Sequence, residues 1–247
     1  MKKFCFLCLI FALMAFAESS AQDLLPSISP TARFYAVDGT EDEGTSYSGS
    51  APLRAQFFAN AEHTAGWDAH YEWRFTLEGE DEPYLKRFEE DTEFTFTKAG
   101  GHRIVLYAVF VQGNDTVKFT EEYWETAAPL TVGISESKLE FPNAFSPNND
   151  GHNEYYQAKG TKDGNGPQSI VEFEAHIFNR WGQKLYSWTD CYTYEAGWDG
   201  KYKGKPVKDG VYYVLVKARG ADGRKFNIKR DVNLLRGVRE GDTYGTE

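Results

Sequence analysis

Phe141-Pro142-Asn143-Ala144-Phe145-Ser146-Pro147-Asn148-Asn149-Asp150-Gly151-His152-Asn153-Glu154 is the stretch on which the chain divides. It holds two prolines, four asparagines and an Asp-Gly pair between two aromatic-rich regions, so it reads as punctuation rather than core. Each proline fixes its own φ and pushes the residue before it to an extended conformation. Asn, Asp and Gly accept the positive φ of tight turns. The chain before the stretch reads as one β module, and the chain after it as another.

In the second module Phe173, Ala175 and Ile177 point one way, with Glu172, Glu174 and His176 opposite, the alternation of a half-buried strand. Asn179-Arg180-Trp181-Gly182 closes a hairpin onto Lys184-Leu185-Tyr186-Ser187-Trp188. Tyr212, Val214, Val216 and Ala218 share a face, and Ala221-Asp222-Gly223 turns into a last strand with Phe226, Ile228, Val232 and Leu234 inward. In the first module the expected strands are Ala32–Val37, Pro52–Phe58, Tyr71–Phe75, Glu93–Thr97, Ile104–Val111, a strand around Val117–Phe119, and Leu130–Ile134. Thr40 to Ser50 and Glu78 to Asp91, acidic and without apolar period, read as solvated loops. Strand signals about every ten residues with no helical period predict an all-β chain of sandwich modules, each of roughly 100 residues.

Five motifs stand in a fixed order: the opening stretch, Ile177-Phe178-Asn179-Arg180-Trp181-Gly182, Trp198-Asp199-Gly200, Gly204-Lys205 and Asp209-Gly210-Val211-Tyr212. Together they resemble the gliding-motility-associated C-terminal domain, the type B sorting domain of type IX secretion, from about Leu139 to Arg236. The resemblance implies an immunoglobulin-like sandwich that acts as an address, with the outer-membrane type IX machinery as partner. It assigns the sorting motif to Phe141, Pro142, Asn143, Phe145, Pro147, Asn148, Asp150, Gly151, Phe178, Asn179, Arg180, Trp181, Gly182, Trp198, Asp199, Gly200, Asp209, Gly210 and Tyr212. The first module, through Ser50-Ala51-Pro52-Leu53, Tyr71-Glu72-Trp73-Arg74-Phe75 and Phe94-Thr95-Phe96-Thr97-Lys98-Ala99-Gly100-Gly101-His102, resembles a polycystic-kidney-disease-type (PKD-type) immunoglobulin-like repeat. That resemblance implies a spacer or binding support.

At the front, Lys2 and Lys3 precede an apolar run, Phe4 to Ala17, and then Glu18-Ser19-Ser20-Ala21. A basic start, a short apolar segment and a small-residue cleavage site are the marks of a secretory signal peptide, here cleaved after Ala21. The run is short of the ~20 residues a spanning helix needs. The expected organisation is therefore a signal peptide (1–21), a PKD-type sandwich (28–134), a sorting sandwich (139–236) and a polar tail (237–247). Only Cys191 of the three cysteines remains after cleavage, which excludes an intramolecular disulfide and leaves a buried or tolerated thiol as the main reading. The full chain carries 27 Lys+Arg and 37 Asp+Glu; without Lys2, Lys3 and Glu18 these become 25 and 36, a net −11. Nucleic acid and anionic lipid both call for a cationic field, so neither is an expected partner.

Candidate chemistry is sparse. Asn148, Asp150 and Glu154, with Gly151 between them, have the alternating oxygens of a calcium loop, the one cofactor weighed. A plain hydrogen-bonded turn explains the same spacing. The acidic clusters Glu78-Glu80-Asp81-Glu82 and Glu89-Glu90-Asp91 read as solvated runs rather than a glycosidase pair. The histidines (His63, His70, His102, His152 and His176) show no metal spacing, and no nucleophile elbow or phosphate-cradling glycine loop occurs. Trp67, Trp124 and Trp188 are candidates for a sugar-stacking platform, with core packing as the competing reading. The expected protein is exported and non-enzymatic, at the outer cell surface or outside the cell, with the periplasm as its transit compartment. Its N-terminal sandwich is read as a small cargo, spacer or adhesin-like module. The alternative is a glycan- or protein-binding module of the cell envelope whose C-terminal domain is purely structural.

Overall fold

The computed structural model describes residues 24–237. The expected signal peptide with Cys5 and Cys8, and the expected tail beyond Gly237, lie outside the described residues. The described chain is nearly all β, arranged as tandem immunoglobulin-like sandwich modules.

The first part of the chain runs β1 (Thr31–Tyr35), β2 (Glu41–Gly44), β3 (Ser46–Gly49), β4 (Leu53–Phe58), β5 (Asp68–Leu77), β6 (Leu85–Arg87), β7 (Thr92–Phe96), β8 (Gly100–Gln112), β9 (Asp115–Phe119), one helical turn α1 (Glu121–Trp124) and β10 (Leu130–Ile134). Strands β2-β1-β4-β7 form one sheet; β3-β10-β8-β5-β6, with β9 on β8, form the other. Phe34, Leu53 and Phe57 from the first sheet meet Trp73, Phe75, Ile104 and Phe110 from the second in one buried cluster. The Phe57 ring lies 5.8 Å from Trp73 and 5.2 Å from Phe75, which places the cluster between the sheets. Burying the Trp73 ring would strand its N–H, and the Glu90 carbonyl accepts it at 2.9 Å.

Two expected loops contain strands. Thr40–Ser50 holds β2 and β3, and Glu78–Asp91 holds β6. In β2 the backbone pairs with β1 while its acids stay exposed, Glu43 meeting Arg33 at 3.0 Å. A charged edge strand has little or no buried face and hence no period to read; its charges also discourage pairing with another chain.

The second part runs β11 (Ala144–Phe145), β12 (Ile170–Phe178), β13 (Lys184–Trp188), a 3-10 turn (Tyr194–Ala196), β14 (Lys201–Tyr202), β15 (Lys205–Pro206), β16 (Gly210–Gly220) and β17 (Lys225–Leu234). Its five-stranded sheet has the order β11-β17-β16-β12-β13, and β14 and β15 form a separate hairpin. Ala175, Ile177, Tyr212, Val214, Val216, Ala218, Val232 and Leu234 are all buried on one face, as the alternation requires. The layer opposite is mostly irregular chain, which contributes Phe141, Tyr156, Cys191 and Trp198, while Phe145 joins the same cluster from the edge strand β11. Prolines and positive-φ residues cannot sustain a ladder, so aromatic side chains do the covering there.

Hydrogen bonds pin the connection between the two parts. Tyr192 Oη donates to the Ala51 carbonyl at 3.0 Å, Ala51 N donates to Ser169 Oγ at 3.1 Å, and Ser169 N bonds to Ser50 Oγ. Ser137 N and Oγ reach the Asp222 carboxylate at 3.1 and 2.7 Å, and Lys138 and Gln168 exchange backbone bonds at 3.0 and 2.9 Å. The Ser137 hydroxyl, foremost among its partners, holds the Asp222 carboxyl down at about 2.

Candidate functional site

The sorting-motif residues separate by what they touch. Trp198 is fully buried, with its ring 5.3 Å from Phe145 and 5.0 Å from Tyr212, so three motifs distant in sequence share one aromatic contact. Its N–H reaches the Lys201 carbonyl at 2.9 Å, and its backbone exchanges bonds with Tyr156 at 2.8 and 3.1 Å. Phe141 lies near-parallel to Phe173 with centroids 6.2 Å apart. Tyr156 Oη donates to the Pro142 carbonyl at 3.1 Å, and the Asn143 carbonyl accepts Asn233 N at 2.9 Å. Burial drives the Tyr156 and Tyr212 phenols upward, so both stay neutral.

Around this aromatic centre lies a clasp. Asp199 turns the chain by accepting Lys201 N at 3.0 Å, and Gly200 comes next at φ +74. A Cβ at Gly200 would fall 2.9 Å from Pro147, 2.9 Å from Arg236 and 3.0 Å from Leu234, so both the conformation and the space call for glycine. Arg236 donates to Asp209 from its backbone at 2.7 Å and from its guanidinium at 2.6 Å, and to the carbonyls of Val207 at 2.8 Å and Gly200 at 3.0 Å. Arg236 was not among the expected site residues. A single arginine after the last strand carries no sequence signal. Gln157 was also missed; buried under the sheet, it bonds Asp190, Thr193 and Trp188 at 2.9 to 3.1 Å.

The 179–182 turn presents rather than buries. Asn179 Oδ1 accepts the amides of Trp181 and Gln183, both at 3.0 Å, and Gly182 takes φ +77. Gln183 then donates to Tyr202 Oη at 3.1 Å, which ties this hairpin to β14. Trp181 is left 75% exposed, with the Arg180 guanidinium 4.3 Å from its ring centre. Phe178 pairs in register with Tyr213 on the outer face. Arg180, Trp181, Leu185, Tyr202, Lys208 and Val211 line a surface groove of about 380 Å³ that also takes in Asp209, Gly210 and Tyr212. Motif residues about thirty positions apart thus converge on one feature.

The 148–154 segment is a tight turn. Glu154 accepts the amides of Asn149 at 2.9 Å and Gly151 at 3.0 Å, Asp150 accepts His152 N at 2.7 Å, and Asn148 Oδ1 accepts Asp150 N at 3.1 Å. The Asn148 side-chain amide, then the His152 amide, hold the Asp150 carboxyl below its ordinary range. The oxygens that a calcium ion would use are satisfying backbone donors here. Among the described residues no three His, Cys, Asp or Glu side chains converge as metal ligands.

Residues 139–229 match the family model described as the CHU_C type IX secretion signal domain. The match implies interaction with the type IX machinery and export to the cell surface or beyond it. It covers all of the motif residues named above, and Arg236 lies beyond it. No curated protein matches the chain. Among solved structures, a tetra-tandem repeat from the extending region of a large adhesion protein is similar at 10% identity and TM-score 0.25, over 87% of this chain and 69% of that one. Dimeric latent PorU from Porphyromonas gingivalis is similar at 13% identity and TM-score 0.22, over 87% of this chain and 21% of that one. Neither reaches a shared overall arrangement.

The remaining candidates disperse. Trp124 and Trp188 are buried in different clusters, bonding Leu106 O at 2.9 Å and Gln157 Oε1 at 3.1 Å. Trp67 packs against the first cluster, so the three form no sugar platform. Glu78, Glu80, Asp81 and Glu82, and likewise Glu89, Glu90 and Asp91, are exposed. Cys191 is buried, and burial pushes its thiol up to about 12, leaving it protonated. Among the described residues no helix is long and apolar enough to cross a membrane.

Proposed function

We propose that residues 139–236 are a sorting domain read by the type IX machinery, and that the sandwich at 28–134 is its small non-enzymatic cargo, a PKD-like spacer or adhesin-like module. The observation that carries this reading is the convergence of the 179–182 and 209–212 motifs on one groove, beneath an exposed tryptophan. The domain boundaries, the cleaved leader at 1–21 and the sorting role of individual motif residues belong to the same proposal. Groups that do chemistry are normally paired across a cleft with unlike environments. Here the shifted carboxyls, such as Asp150 and Asp222, sit in hydrogen-bonded turns instead.

The test is to express, in a host with type IX secretion, the full chain and a chain truncated after Lys138, and to fractionate the cells. Full-length protein at the surface or in the medium, with the truncated chain held in the periplasm, is the expected result. Equal export of both would overturn the reading.

A second reading is favoured by one feature of the first module. Tyr47, Asp42, Glu78, His102 and Arg103 line an open groove of about 690 Å³, large enough for a small ligand. A glycan- or protein-binding role for that module would use this groove, and oligosaccharide titration followed by calorimetry would find it.

A further inference from the structure

We propose that the groove between Trp181 and Val211 binds an acidic polypeptide segment that carries an apolar side chain. The proposal deepens the sorting reading and rests on taking the second module as the half that is recognised.

The first observation is charge. Residues 24–138 carry 20 Asp+Glu against 9 Lys+Arg, a formal −11, whereas 139–237 carry 12 against 15, a formal +3. The surplus in the second module gathers near the groove. Arg180 and Lys208 line it, and Lys184, Lys203 and Lys205 stand exposed on the adjoining β13 and the β14–β15 hairpin. Its one lining acid, Asp209, is neutralised by Arg236 at 2.6 Å, and neighbouring Asp199 by Lys201 at 2.7 Å. Arg180 and Lys208 are in no salt bridge among the described residues, so their field is available to a partner.

The second observation is apolar. Trp181 is 75% exposed, Val211 49% and Tyr213 47%, and Val211 and Tyr213 lie on the same outward side of β16. Leu185 and Val207 sit half-buried in the groove. The Asn179 turn fixes the backbone that carries Trp181 before any partner arrives, which lowers the entropic cost of docking. An exposed tryptophan stacked beside an arginine has the composition of binding hot spots.

These two features select the occupant. An anionic glycan or a lipid headgroup would satisfy the cations but leave Leu185, Val207 and Val211 without apolar contact. A neutral peptide would leave the cations without partners. An acidic polypeptide with an aromatic or aliphatic side chain meets both.

The test uses the full mature chain and a fluorescein-labelled peptide of Glu-Glu-Tyr repeats, read by anisotropy, with a Lys-Lys-Tyr repeat of equal length and heparin as comparisons. The expected result is binding with a Kd of about 10–100 μM that weakens with salt, and no binding of the lysine peptide. Trp181→Ala should weaken it by about tenfold or more. Arg180→Glu with Lys208→Glu should do the same and flatten the salt dependence. The exposed position of Trp181 predicts unchanged urea unfolding for W181A, and the charge-reversed pair serves as the second variant if it unfolds. Equal binding by the lysine peptide, wild-type affinity in W181A, or binding of heparin without the acidic peptide would each overturn the proposal. Export separates it from the sorting reading. A W181A chain retained in the periplasm with peptide affinity intact refutes this proposal alone, whereas lost affinity with normal export supports it and removes the groove from sorting.

Discussion

The two halves of the chain solve the same problem by different means. In the first, two sheets close over one another and Phe57 meets Trp73 and Phe75 across the gap. In the second, one five-stranded sheet is covered by irregular chain, and Phe141, Tyr156 and Trp198 stand in for strands. A sheet repeats its support along its length. An irregular layer has only its anchors, so its turn glycine, its clasp and its central indole each carry support that no neighbouring ladder repeats. The result is also a surface whose shape is fixed by named residues, as recognition requires.

Removing the anchor breaks this contrast most directly. Trp198→Ala empties the contact between Phe145 and Tyr212, and should cost about 3–5 kcal/mol. Urea unfolding checks it; a cost below about 1 kcal/mol would mean that the layer does not depend on the indole. Gly200→Ala comes next. Its left-handed φ and the crowding by Pro147, Arg236 and Leu234 predict a loss of about 1–3 kcal/mol, whereas the same change at an exposed glycine in ordinary backbone stabilises by about 0.4–1 kcal/mol. Asp209→Ala removes two of Arg236's four bonds and leaves those to the Val207 and Gly200 carbonyls; with Asp209 45% exposed, solvent screening limits the expected loss to about 1 kcal/mol.

How much of this was legible depends on where each residue sits. The inward rows of β16 and β17 were legible because a half-buried strand must alternate. Strand β2 was not, since an edge strand with solvent on its side chains gives no period, and β3 offers only Tyr47 as a large apolar inward residue, too little to show one. Asn179 and Gly182 were read as turn residues and are so, by their bonds and φ. The roles of Arg236 and Gln157 rest on contacts with residues 27 to 36 positions away, and no local pattern encodes such partners. Trp181 and Trp198 both read as motif residues, and only packing distinguishes the buried Trp198 from the exposed Trp181.

The junction sharpens the comparison at smaller scale. Asp222 is held at about 2 against an ordinary 3.8, so its contribution is present above the ordinary value and is lost as pH falls from 3.8 through about 2. Acid unfolding of Asp222→Asn should therefore be less steep than that of the native chain in that window, with no difference at neutral pH beyond a constant offset. The smallest effect is expected at the exposed tryptophan. Trp181→Ala should leave stability within about 0.5 kcal/mol while altering recognition, the reverse of Trp198→Ala.

The measurement that bears most directly on the division of labour is a transplant. Residues 139–237, placed behind a signal peptide and after an unrelated folded reporter, should carry that reporter to the surface or medium of a type IX host. The same fusion made with residues 24–138 should leave it in the periplasm. A reporter retained by the first fusion and delivered by the second would contradict the account.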